Sequence, residues 1–191
     1  MSERINFEIH PTGIISKKFL LHNIHTFSEA ANFVRKLRYS RNKNKADLST
    51  VFDDKCGTCS TKHALLKRLS EENNIVGFKL MIGIFKMNAA NTPKIAATLA
   101  KNQLPYLPEA HTYLKWKNEI LDYTNEHSKP SDFANDLLEE IEIRTNQISN
   151  FKVSFHQNFL ANWLKTQQNL MVSMEELWQI REQCIIALSS N

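Results

Sequence analysis

Lys55-Cys56-Gly57-Thr58-Cys59-Ser60-Thr61-Lys62-His63-Ala64-Leu65-Leu66 is the stretch on which the fold of this chain turns. From Ser60 onward Ala64, Leu65 and Leu69 recur at helical spacing and Asn73-Asn74 supplies a stop, so the pattern predicts a helix over about 60–73. Cys59 then stands at the N-terminus of that helix, two residues after Gly57. The free N–H groups of a helix start carry a partial positive charge of about half a unit. They favour thiolate, and can bring a cysteine pKa from about 8.5 into the range of roughly 3.5–7.5. Glycine lets the backbone turn tightly and approach a substrate closely. Nucleophilic cysteines are built in this way.

Upstream, Thr26-Phe27-Ser28-Glu29 opens a helix expected to run to Tyr39, with Ala30, Phe33, Val34 and Leu37 on one face and Ser28 as its cap. A polar loop over Ser40–Ser49 follows. Downstream, Val76–Met87 is rich in Val, Ile and Phe and reads as a long strand. Asn91-Thr92-Pro93 starts a short helix through about Leu99, with proline at its first position. Strands are expected over 110–115 and 119–123, joined as a hairpin by a turn at Trp116-Lys117-Asn118, and another around Glu139–Ile143. The last fifty residues read as helical: Phe155, Phe159, Leu160, Trp163 and Leu164 share a period. Ser173-Met174-Glu175-Glu176 then forms a capping box for a helix bearing Leu177, Ile180, Cys184 and Leu188. The expected class is α+β, a single domain over 1–191 with a core at about 26–145 and C-terminal helices at about 151–190 packed with a small antiparallel sheet.

The chain has 191 residues, 42% hydrophobic and 23% charged, which fits a globular domain and excludes a coiled-coil rod or a disordered chain. A net charge of +4 is compatible with nucleic acid without requiring it, and the basic run Arg35 to Lys45 reads as a solvated face. With no aromatic interleaving or finger motif beside that run, nucleic acid is not an expected partner. The three cysteines form an odd set, which fits a reducing cytoplasm better than secretion. The start, MSERINFEIHP, lacks an apolar signal core, and Lys79 and Lys86 interrupt the most apolar stretch, so no membrane association is expected.

A thiolate nucleophile needs a proton carrier. His111 lies on the first strand of the expected hairpin and Asp122 on the second, where the aspartate would hold the imidazole tautomer and leave the other ring nitrogen to the thiol. Gly57-x-Cys59 at a helix start, Ala110-His111-Thr112-Tyr113 on a strand and Leu121-Asp122-Tyr123-Thr124 on the next together resemble the transglutaminase-like superfamily of papain-type cysteine enzymes. The string from Gly57 to Ala64 is similar to an uncharacterised bacterial branch of it. The resemblance spans about Lys55–Thr124, and Glu119-Ile120 stands where the family often has a Gly-Trp pair before its aspartate. It implies a papain-like core with Cys59 as nucleophile, His111 as general base and Asp122 as its orienter. The expected reaction is hydrolysis of an amide or peptide bond through an acyl-thioester, or transfer to an amine. The substrate is then a peptide, protein or small amide, with no metal and no organic cofactor.

The residues around the triad carry further expectations. The backbone N–H of Cys59 is a natural oxyanion donor, and Arg41, Asn42 or Asn44 in the polar loop would supply the second. His63, one turn after Cys59, either lines the pocket or packs, and Lys62 reads as solvated. Cys56-x-x-Cys59 keeps open a thiol redox reading with Cys56 as resolving thiol. A non-catalytic interaction domain that keeps the fold is the other alternative. Zinc fits poorly without a second cysteine pair, His22-x-x-His25 reads as surface, and Cys184 as core.

Overall fold

The structure, a computed structural model, describes residues 5–168 and 170–189. In chain order its elements are α1 (Ile14–Leu21), α2 (Phe27–Lys36), β1 (Arg38–Tyr39), α3 (Thr50–Asp53), β2 (Cys56–Gly57), α4 (Cys59–Glu72) and β3 (Phe78–Met87). There follow α5 (Ala96–Lys101), β4 (Leu107–Trp116), β5 (Glu119–Leu121), β6 (Leu137–Ile143), α6 (Asn150–Thr166) and α7 (Met174–Ser189). This is an α+β fold with a small antiparallel sheet. Its four strands lie in the order β5-β4-β3-β6, and β1 and β2 form a separate parallel pair.

The chain divides into two compact units. One comprises the residues up to Ile82 with Thr112–Pro130 and Ile141–Ser149; the other comprises Gly83–His111, Ser131–Glu140 and the residues from Asn150. Strands β3, β4 and β6 therefore each contribute residues to both.

The first unit is organised on α4. Its opening turns are buried on every side, from Cys59 through Leu66, so its polar side chains must find partners inside the protein. Phe19 of α1, Phe33 of α2 and Phe52 of α3 meet edge-on or stacked, and Phe27 packs on Phe78, which in turn packs on Trp116. Gly77, with a φ of 99°, leads into β3 where a side chain would press on the Trp116 ring. The expected hairpin is present: Leu114 pairs with Leu121, Lys115 with Ile120 and Trp116 with Glu119 across a turn containing the left-handed Lys117.

Two expectations about α2 are corrected. Its cap is Thr26, which accepts from the Glu29 N–H while the Glu29 carboxylate accepts from the Thr26 N–H, and Ser28 lies inside the helix. It ends at Lys36 instead of Tyr39. Leu37 turns extended, and Arg38 and Tyr39 pair in parallel with Cys56 and Gly57. That long-range pairing overrides the local helical pattern. The helix α1 has no counterpart in the sequence reading. Gly13 at its cap offers no side chain, and Glu72 at the end of α4 accepts from the N–H groups of Ile15 and Ser16 in its place.

In the second unit the short helix after Asn91-Thr92-Pro93 starts as a 3-10 turn at Pro93–Ile95 and continues as α5. The capping box at Ser173 is present, with Ser173 and Glu176 exchanging backbone and side-chain bonds. Leu160, Trp163, Leu177, Ile180 and Cys184 are buried as expected. A buried ion pair joins α7 to β4: Arg181 donates to both oxygens of Glu109, at 2.9 and 2.7 Å. Among the described residues no helix is long and apolar enough to cross a membrane.

Candidate functional site

Cys59 is the first residue of α4. Thr58 caps the helix through a reciprocal pair of bonds with Thr61, so the placement expected from the sequence is realised. The sulfur is largely enclosed. Its neighbour Ser60 lies at 3.9 Å through its hydroxyl, and that hydroxyl meets the hydroxyl of Thr112 on β4 at 3.1 Å. Ser60 and Thr112 are both buried, so this chain of two hydroxyls ends at the thiol out of reach of bulk water.

Lys62 is not solvated. Its side chain is fully buried, with Nζ donating to the carbonyl oxygens of Leu37 at 2.6 Å and Thr124 at 2.7 Å. Burial lowers its pKa to about 8, an effect opposed in part by the nearby Cys59, then Cys56, then Asp122. Gly57 makes room for it: a Cβ there would lie 2.9 Å from the Lys62 Cγ.

His63 is also fully buried, its Nδ1 2.8 Å from the carbonyl oxygen of Cys59 and its Nε2 accepting from the Tyr123 N–H at 2.7 Å. Asp122 stands 3.5 Å from the same Nε2, and its Oδ1 accepts from the N–H and the hydroxyl of Thr124 at 2.9 and 2.6 Å. The structure thus brings Cys59, His63 and Asp122 into one unit around the start of α4. Asp122 falls one residue past the end of β5, where the hairpin register continued by one step faces it with Tyr113. His111 is the last residue of the β4 segment that belongs to the other unit, with its ring against Phe133 at 4.7 Å and Phe85 at 6.2 Å between centroids.

The polar loop is tied down beside this site. The Asn42 amide donates to the carbonyl of Cys56 at 2.9 Å and accepts from the Thr61 hydroxyl at 2.8 Å, so it clips the loop to β2 and to the first turn of α4. Asn44 is a turn residue whose side chain accepts from the Ala46 N–H, and Arg41 offers its carbonyl to the Cys56 thiol at 3.8 Å. Cys56, Cys59 and Cys184 are all buried and none forms a disulfide, and burial pushes the Cys184 thiol up to about 11. Among the described residues no group of three or more His, Cys, Asp or Glu side chains is placed to hold a metal ion.

Sequence reasoning missed Lys62, Ser60 and Thr112 as parts of the site. The spacing Cys59-x-x-Lys62 was the available signal, since residues three apart share a helix face. In comparisons with family models, curated proteins and solved structures, nothing matched this chain.

Proposed function

We propose that this chain is a cysteine-dependent acyl-transfer enzyme of transglutaminase-like, papain-like kind that hydrolyses an amide or peptide bond. The observation that carries this reading is Cys59 at the first position of a capped, buried helix, with a buried lysine one turn further on. The helix start and the ammonium both favour a negative sulfur.

In this reading the Cys59 thiolate attacks the carbonyl carbon. A C–S bond forms and the carbonyl electron pair moves to oxygen, which the Cys59 N–H helps to stabilise. On collapse the C–N bond breaks, and the departing amine takes a proton from the imidazolium of His111. Water then attacks the thioester, gives a proton to His111 and displaces the sulfur. His111 and Asp122 keep the base and orienter roles assigned from the sequence pattern. His63 is excluded as the base because both of its ring nitrogens are engaged.

The rate of alkylation by iodoacetamide, mapped to each cysteine and followed against pH, tests the proposal. Fast labelling of Cys59 near neutral pH is expected, abolished in Cys59→Ser, retained in Cys56→Ser and shifted to alkaline pH in His111→Ala. Slow labelling with an ordinary thiol inflection near about 8.5 would reduce the chain to a binding scaffold. A screen against peptide and small-amide libraries then identifies the bond that is cut.

A further inference from the structure

Stretches distant in sequence close on Lys62. Its Nζ is held by the carbonyl of Leu37, just before β1, and by that of Thr124, two residues after Asp122. Its stem passes over Gly57 on β2. A carbonyl oxygen is neutral, so these bonds fix the ammonium without cancelling its charge. Among the described residues its hydrogen bonds go to these two carbonyls and to no carboxylate. A buried cation is costly unless a negative charge lies near it, and Cys59 is on the same helix face three residues away.

The geometry points to Lys62 as a positioning residue for the Cys59 sulfur: its ammonium, fixed by the Leu37 and Thr124 carbonyls, holds Cys59 as thiolate. The proposal rests on reading Cys59 as the nucleophile and adds the source of its charge. Burial lowers the Lys62 pKa and Cys59 opposes that shift; attraction between two charges is mutual, so an ammonium that a Cys59 thiolate favours itself favours the thiolate. Among the described residues, titratable groups near this pair are Cys56 from β2, His63 from α4 and Asp122 from the segment after β5. Cys56 and Asp122 also favour the ammonium, while the His63 ring is neutral in the tautomer its two hydrogen bonds require. The Thr124 bond gives Lys62 a second effect, since it anchors the backbone just beyond Asp122 to α4.

The test reads charge directly. Thiolate ultraviolet absorbance is titrated in the intact chain and in Cys59→Ser, and the difference reports Cys59 alone. The same pair is then measured with Lys62→Met added. The Cys59 midpoint is expected to rise by about one pH unit, a roughly tenfold loss of thiolate at neutral pH; an unmoved midpoint in a folded Lys62→Met protein overturns the proposal. Should Lys62→Met fail to fold, nitrogen NMR of Lys62 is compared between the intact chain and Cys59→Ser. A lower Lys62 midpoint in Cys59→Ser supports the pairing, and equal midpoints overturn it. Neither titration requires turnover. A shifted midpoint in a chain that cleaves nothing would keep the pairing and remove the enzymatic reading, while cleavage with unmoved midpoints would do the reverse.

Discussion

The backbone N–H of Tyr123 donates to Nε2 of His63 at 2.7 Å, while Nδ1 of the same ring lies 2.8 Å from the carbonyl oxygen of Cys59. A carbonyl only accepts and an N–H only donates, so the ring proton sits on Nδ1 and the Nε2 lone pair is occupied. His63 is a brace between the first turn of α4 and the segment that follows β5. It is not a free base.

Removing the ring should therefore damage stability more than chemistry. His63→Ala leaves the half-buried N–H of Tyr123 without its His63 acceptor and opens a cavity beside Cys59, and should lower the unfolding free energy by about 2–4 kcal/mol. Denaturant unfolding measures this. The pH inflection of Cys59 labelling in the surviving folded protein should stay where it is. A variant as stable as the parent chain would show that the ring does not brace the helix.

Gly57→Ala is the second prediction. The new Cβ would meet Lys62 at its Cγ, 2.9 Å away, and the Thr61 hydroxyl at 3.0 Å. Cγ lies near the root of a side chain whose tip is held by two carbonyls, so it has little room to give. Overpacking of this kind costs about 1–3 kcal/mol. Thermal unfolding should show the loss, and an unchanged Tm would mean that Lys62 can leave its seat cheaply.

The elements that local chemistry determines could be read from the sequence. The start of α4 at Cys59, the hairpin around Lys117 and the capping box at Ser173 each depend on residues within a few positions of one another. What escaped depends on partners far along the chain. Helix α1 is capped by Glu72, Arg38 and Tyr39 are drawn out of α2 by Cys56 and Gly57, and Lys62 is buried because Leu37 and Thr124 supply its acceptors. A lysine at helical spacing reads as solvated unless those carbonyls are known. Of the candidate site, the cysteine at the helix start was legible and the burial of Lys62 was not.

Acid should destabilise the fold in two windows. Burial lowers the pKa of His156 below its usual 6.5, only partly offset by Glu109, and its Nε2–H donates to the Pro108 carbonyl at 2.8 Å. The unfolded chain takes up this proton first, so stability begins to fall as pH drops below about 6.5. Burial alone would raise the Glu109 carboxyl, but the Arg181 guanidinium more than reverses this and brings it down from 4.5 to about 2. The unfolded form again binds more protons between those values. The Glu109 contribution, about 3 kcal/mol, is complete above the upper value and lost as pH falls toward the lower. Unfolding free energy measured against pH should show both windows, with His156→Gln removing the first. Glu109→Gln should remove the second and cost up to about 3–5 kcal/mol at neutral pH, because the buried Arg181 then keeps only the partly exposed Glu182 as a carboxylate partner among the described residues. A flat profile from neutral pH to the lower window would show that neither group is coupled to folding.

Asn42 separates two roles that the sequence could not distinguish. As an oxyanion donor it would need its amide N–H pointed at substrate. In the structure that amide is committed to the Cys56 carbonyl, with the Asp54 carboxylate at 3.3 Å, while its oxygen receives the Thr61 hydroxyl. Asn42→Ala should consequently cut the link from the polar loop to β2 and α4, lowering unfolding free energy by about 1–3 kcal/mol as the buried partners lose their bonds. Once a substrate is in hand, kcat for the folded Asn42→Ala protein should fall by less than about tenfold. Loss of an oxyanion donor lowers kcat by about 100- to 1000-fold. A drop of that size with Tm unchanged would return Asn42 to the reacting centre, because a clip acts on folding and an oxyanion donor acts on the transition state.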